Sequence, residues 1–365
     1  MSKTRAEVTL STADLRRDIP FFTKVLGMRM EMIFPADDPS VAVFSGHGLR
    51  VRLDAGSAGG HGLLRILTED PAGFADGAVD LTAPGGTRVE IRDLHPPLET
   101  PDTVHSFVVR RLADQAPWVI GRAGMHYRDL IPDRLGGSII ASHIRIPDGG
   151  PVPDMVHYHT VGFQLIFCYK GWVDLVYEDQ GEPFRLHAGC CVIQPPEIRH
   201  RVLFASDNIE VIEIGVPAEH ITTIDHDMEL PNGPPDPDRR FQGQRFVHHE
   251  VGRAVWGPFR LAGFEARDTG ISDGTNGVAG VRVARRSQER VDWAAHDADI
   301  LFTFVMEGTL RLESADRQPV DLAAGDAFVI PPRMAVRYSD PSDDLELLEV
   351  SLPGVFTTRA VQTPP

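Results

Sequence analysis

The sequence predicts a mainly β protein in which two successive double-sheet barrels follow a small α+β unit. One observation is composition: 365 residues contain 34 glycines and 29 prolines, which favour short strands and turns, with 42% hydrophobic residues to fill cores. A second is length, since a chain of this size is long for one core and suggests two or three domains. The third is internal repetition. Residues 209–217 (IEVIEIGVP) align with 345–353 (LELLEVSLP), and 189–196 with 325–332, in both cases 136 residues apart. Gly171 pairs with Gly308, and 144–146 with 281–283, at 137. Strands of about six residues between Gly or Pro turns, repeated over that length, fit tandem jelly rolls.

The elements follow in order. Residues 7–15 form a short alternating strand that ends at a helix-capping acid, Asp14, and 21–28 have helical spacing closed by Gly27. Strands are expected near 29–34, 41–45 and 49–54, with strand-like pieces at 63–67 and 87–91. The Pro-rich stretch 96–101 is the natural linker. These readings divide the chain into an N-terminal unit (1–95), a first barrel (104–225) and a second barrel (240–358).

The most informative residues lie in the first barrel. Alternate side chains of a strand share a face, so His157 and His159 point one way and Tyr158 the other. Gln164 follows the turn 160–162 and opens the apolar run 165–169, which ends at Gly171, so it can supply a third ligand. His200 comes after the Gly189 turn, an apolar strand and the Pro195-Pro196 bend, and can supply a fourth. Carried through the repeat, position 157 becomes Ala294, 159 becomes His296, 164 becomes Leu301 and 200 becomes Val336. One imidazole cannot hold a catalytic metal, so the second barrel reads as structural or as a small-molecule pocket, and His296 as a polar strand or rim residue. His187, His220, His226, His248 and His249 lie near turns or polar segments and are expected to be solvent-exposed or structural.

These spacings resemble the cupin pattern: His-x-His, a four-residue gap to Gln164, a six-residue gap to Gly171, then Gly189, Pro195 and His200. Gly150 stands one residue early, Gln164 replaces Glu, Glu197 replaces Gly and Phe204 replaces Asn. The resemblance implies a bicupin whose first barrel holds one divalent metal on His157, His159, Gln164 and His200. The βαβββ order of the first 50 or so residues resembles one module of the glyoxalase and extradiol dioxygenase superfamily, the vicinal-oxygen-chelate fold. That superfamily pairs two modules into a metal cup, and only one complete module is present. Glu7 falls near the family's first ligand but reads as an edge carboxylate, and the module as a docking or dimerisation surface.

Composition narrows the function. A net charge of −16 repels phosphate backbones and excludes nucleic acid as a partner. No apolar run of membrane-spanning length is present, and the first residues lack a signal-peptide core, so a cytoplasmic protein without a membrane partner is expected. Cys168, Cys190 and Cys191 have neither disulfide nor metal-clip spacing and are expected to be reduced, with Cys168 in the barrel interior. A homodimer acting on a small molecule is the expected assembly.

Three histidines and a glutamine are neutral, so a divalent ion keeps both positive charges and favours an anionic, enolisable or aromatic substrate. An amide cannot act as base at neutral pH, which leaves Glu213 and Tyr177 as weak catalytic candidates. The leading expectation is an Fe(II) dioxygenase. The alternatives are a non-redox lyase or isomerase using Mn(II), Ni(II) or Zn(II), and a metal-assisted binding protein. Phe163, Ile166, Trp172, Phe184 and Phe204 are the expected pocket walls. Arg199 and Arg201 are expected to face outward, and Arg128 or Arg145 to be available to an anion.

Overall fold

The computed structural model describes residues 4–12, 15–20, 22–23, 28–46, 49–57, 63–73, 77–82, 88–114, 118–288 and 292–362. The N-terminal module contains β1 (Thr4–Ser11), α1 (Leu15–Pro20), β2 (Arg29–Phe34), β3 (Val41–Gly46), β4 (Leu49–Asp54), β5 (Leu63–Thr68), β6 (Asp80–Thr82) and β7 (Arg88–Asp93). Its sheet runs β2-β3-β4-β1-β5-β7-β6, with β1 parallel to β4 and β5 parallel to β7. Ile33, Phe44, Val51 and Leu53 cluster with Leu15 and Met28. Alternation along the strands thus produces one apolar face, and α1 covers it. Asp14, Phe21 and residues 24–27 of the expected helical stretch lie outside the described residues, whereas Phe22 stacks on Phe44 at 5.2 Å. Glu7 is not at an edge. β1 runs between β4 and β5, and Glu7 is buried and accepts a hydrogen bond from Arg50 Nε at 3.0 Å.

An open strand edge exposes unpaired N–H and C=O groups. Here β2 pairs with the first-barrel strand Ile221–Ile224 through Met32↔Thr223 and Ile33↔Thr222. One 13-stranded sheet therefore runs from the module into a wall of that barrel. In this chain the module docks onto its own first barrel.

That wall contains Phe184–His187, Trp172–Tyr177, His200–Ala205, His157–Thr160 and Ile221–Ile224. The facing seven-stranded wall contains Phe163–Lys170, Ile209–Val216 and Ile140–Ile146 at its centre. The second barrel repeats the plan with a seven-stranded and a five-stranded sheet. Its register matches the repeat: His157 pairs with His200 as Ala294 pairs with Val336, and Gln164 faces Gly215 as Leu301 faces Ser351.

The barrels pack back to back. Phe163, Leu165, Phe167, Ile212 and Ile214 share one buried cluster with Val281, Val283, Phe302, Phe304 and Val350. Two strands also cross the limits drawn from sequence. Val108–Arg110 pairs with Ala327–Val329 of the second barrel, and Val247–His249 pairs with Cys191–Ile193 of the first. Each barrel thus completes its large sheet with a strand from its neighbour's side of the chain. Among the described residues no helix is long and apolar enough to cross a membrane.

Candidate metal centre

His157 and His159 project from one strand and His200 from its hydrogen-bonded neighbour, all into the first barrel. The three side chains are buried, and a ring nitrogen of each lies within 4.8 Å of the other two. The outward nitrogens are engaged: His157 Nδ1 donates to the Met155 carbonyl at 2.7 Å and His200 Nδ1 to the Ile198 carbonyl at 3.0 Å. Thr222 Oγ1 lies 3.0 Å from His159 Nδ1. A carbonyl only accepts, so the first two rings carry their proton on Nδ1 and a lone pair on Nε2. His157 Nε2 is buried with no hydrogen-bond partner. Burial pushes His157 and His159 well below the ordinary imidazole range and His200 down to about 4. Neutral, pre-oriented imidazoles with outward nitrogens fixed are what a divalent ion requires.

Gln164 is buried, and its Nε2 donates to Glu213 Oε1 at 2.8 Å. A carboxylate accepts and does not donate, which turns the amide nitrogen toward Glu213 and leaves Oε1, the metal-binding atom of an amide, without a partner. Glu213 is buried and lines the cavity. Burial raises its pKa, against the lowering effects of the Gln164 hydrogen bond and Arg122. Tyr177 also lines the cavity, stacked on His200 at 5.5 Å, and its hydroxyl accepts from Gln194 Nε2 at 2.9 Å. Burial pushes that phenol up, so it is a hydrogen-bond donor at neutral pH and not a base.

Two residues near the histidines escaped the sequence reading. His220, expected to be exposed or structural, is buried with both ring nitrogens unpartnered and stacks on His159 at 4.4 Å. Arg122 lines the cavity, and its guanidinium meets Asp154 at 2.5 Å, while its Nε is buried without a partner. Burial opposes ionisation of Asp154, but Arg122, the nearby His157 and His200 and the Val202 N–H together outweigh it and hold the carboxyl at about 2. Neither residue belongs to a spaced motif. The repeat carried a signal for His220, because its counterpart 136 residues on is Phe356.

The N-terminal module reaches this end of the barrel. Arg134 pairs with buried Asp37 at 2.6 Å. A Cβ at Gly121 would stand 2.7 Å from the Tyr127 ring and 3.0 Å from the Ala36 carbonyl, so glycine permits the loop after β2 to seat beside Arg122.

The walls differ from expectation. Ile166 lines the cavity with Met125, Ile144, Ile146, Val173, Leu175, Val202, Ile209 and Val211. Phe163 instead faces the core between barrels, Trp172 and Phe204 stack on each other with Phe204 exposed, and Phe184 stands one layer out against Tyr177. Arg199 pairs with Asp225. Arg128 is buried against His143 and the Gly325 carbonyl, away from the cavity, and Arg145 bonds Asn208. Cys168, Cys190 and Cys191 are buried and unpaired, and burial pushes Cys168 up to about 12.

In the second barrel Arg260 forms a buried pair with Glu349, the counterpart of Glu213. His296 is buried and its Nε2 lies 3.1 Å from the Ile330 carbonyl, which makes it a strand residue of the interior and not of the rim.

Solved structures share this fold. An arginine-to-alanine variant of the Bacillus subtilis oxalate decarboxylase superposes with a TM-score of 0.52 at 11% identity, over 73% of this chain and 82% of that one. The Lactobacillus farciminis oxalate decarboxylase, in complex with formate, matches at 0.52 and 12% over 73% and 92%. The fold is that of a bicupin. No protein-family model matches the sequence, and no curated protein does. The bicupin portion is thus recognisable by shape, with the N-terminal module attached to its first barrel.

Proposed function

We propose that this bicupin is a metal-dependent enzyme of non-redox lyase or isomerase type, acting on a small anionic substrate in the first barrel. The observation that carries the reading is the convergence of the His157, His159 and His200 rings, with outward nitrogens engaged, in an apolar cavity that also holds Arg122. Gln164 Oε1 is the available fourth donor. The structural neighbours are oxalate decarboxylases, and the Bacillus subtilis enzyme has Mn(II) centres, which supports Mn(II) over the Fe(II) suggested by sequence. Ni(II) and Zn(II) suit the same nitrogen donors. The Fe(II) dioxygenase reading draws no support from these neighbours and becomes secondary.

When bound, a divalent ion would act as a Lewis acid on a substrate oxygen. The chain's own residues do the rest. Apolar walls exclude water and strengthen every charge interaction inside. The free Nε–H of Arg122 can anchor a carboxylate, because Asp154 occupies the other side of the guanidinium. The Tyr177 hydroxyl accepts from Gln194 Nε2 and keeps its own O–H to donate to a substrate. Glu213, held by Gln164 and raised by burial, is the group placed to take or return a proton. We further propose that the N-terminal module is a glyoxalase-like unit used to brace the barrel; its β2-β3-β4-β1 order with β1 parallel to β4 supports this.

The test is to load the protein anaerobically with Mn(II) and screen small mono- and dicarboxylates, following substrate loss and dissolved oxygen together. Turnover with no oxygen consumed is expected. Stoichiometric oxygen uptake would overturn the non-redox reading and restore the dioxygenase.

A further inference from the structure

We propose that His220 belongs to the metal centre, and that His159, Glu213 and His220 form a second position for the same cation beside the one made by His157, His159 and His200. The proposal rests on the metal-dependent reading above. Ligating atoms of His159, Glu213 and His220 lie within 4.8 Å of one another, and all three side chains are buried. His220 has no hydrogen bond at either ring nitrogen although it is 1% exposed, and its Nε2 lies 4.0 Å from Glu213 Oε1. Leaving a buried polar atom unpaired forfeits its solvation with nothing in return. A cation would satisfy one nitrogen of His220 and the free carboxylate capacity of Glu213 together.

The backbone is shaped for this ring. His220 has φ of +47°, a conformation that non-glycine residues rarely adopt and that tends to mark functional positions. On the adjoining strand, a Cβ at Gly215 would stand 3.2 Å from a carbon of the His220 ring, so glycine there opens its seat. The second barrel serves as an internal control. The positions of Gly215 and His220 hold Ser351 and Phe356, and Phe356 meets His296 edge-on at 6.1 Å where, in the first barrel, His220 stacks on His159 at 4.4 Å. Glu349, the counterpart of Glu213, is neutralised by Arg260. The barrel that lacks the histidine triad therefore lacks the second set as well.

The two positions differ in charge. Three imidazoles leave a divalent ion with both its charges, whereas two imidazoles and Glu213 reduce the total by one. An anionic substrate favours the first position, and the resting protein the second. His159 belongs to both, so one chain holds one ion.

Co(II) is a suitable probe, read by its d–d absorption and by metal content after desalting. The wild-type chain is expected to retain about one equivalent. A His157→Ala/His200→Ala variant still retains about one equivalent with a shifted spectrum, and adding His220→Phe removes it; losses of 10-fold or more in affinity are typical of lost ligand support. If the double variant keeps a native far-UV circular dichroism spectrum yet binds no Co(II), the second position is overturned and the histidine triad stands. Failure of the wild type to bind any Co(II) overturns both. Should the double variant misfold, His220→Phe in the wild-type background decides. That residue already occupies the equivalent place in the second barrel; unchanged affinity and spectrum overturn the proposal, and an affinity loss of about 10-fold with a spectral shift supports it.

Discussion

His159 is the residue on which the centre turns, because it belongs to both clusters of ligating side chains. His159→Ala is expected to leave less than about a tenth of wild-type metal content and no measurable turnover, since only two imidazoles of the triad and an incomplete second set remain. Metal analysis beside an activity assay checks this, and full occupancy in the variant would count against it. Buried histidines also give the metal-free chain an acid sensitivity. Burial holds His200 and His220 at about 4, against 6.5 for an unfolded imidazole. Between those values the unfolded chain binds the extra proton, so stability is complete above pH 6.5 and declines as pH falls toward 4. Each group contributes on the order of 3 kcal/mol to that decline. Urea melts of metal-free wild type and His220→Phe should differ by about this amount in their loss between pH 6.5 and 4; parallel losses would argue against a neutral buried His220.

At the scale of elements, the turn at Gly171 illustrates what the repeat preserves. Gly171 and Gly308 have φ of +74° and +72°, and each joins two strands that carry the barrel wall. A Cβ at Gly171 would also stand against Ser206 and Ile209. Gly171→Ala is therefore expected to cost about 1–3 kcal/mol, seen as a lowered Tm with little change in metal affinity per folded molecule. An unchanged Tm would show that the turn can relax. Strand periodicity made the ligand face of His157 and His159 readable, and the same parity carries Gln164 inward. It could not reveal that Gln164 donates to Glu213, because that bond depends on the register between two strands 49 residues apart.

At the scale of the molecule, the barrels do not end where their sequences appear to divide. The exchanged strands Val108–Arg110 and Val247–His249, together with the shared core of Phe163, Phe167, Phe302 and Phe304, tie each barrel's stability to the other's. A single cooperative unfolding transition is expected for the two barrels, with Trp fluorescence and far-UV circular dichroism superimposing across a denaturant series. Two resolved transitions would show that the interface between barrels is weaker than its packing implies. The module's role follows from the same reasoning. An exposed sheet edge suggested docking, and the structure joins β2 to the first barrel of the same chain and seats the loop bearing Asp37 near Arg122 and His220.

Local periodicity and repetition were enough, from the sequence alone, to place two β barrels in tandem, to put His157, His159 and His200 on interior strands, and to show that the second barrel lacks their equivalents. These properties depend on spacing along one strand or on comparing one half of the chain with the other, and both are visible in a linear text. Tertiary structure decided the rest: Arg122 at the cavity, His220 stacked against His159, Arg128 outside the cavity, Phe163 turned to the neighbouring barrel, and strands traded across the boundary. Those residues sit on turns, or on sheet faces that become inside or outside only when a second sheet packs against them. No local pattern encodes which surface will be covered, because burial is set by partners that are distant in sequence.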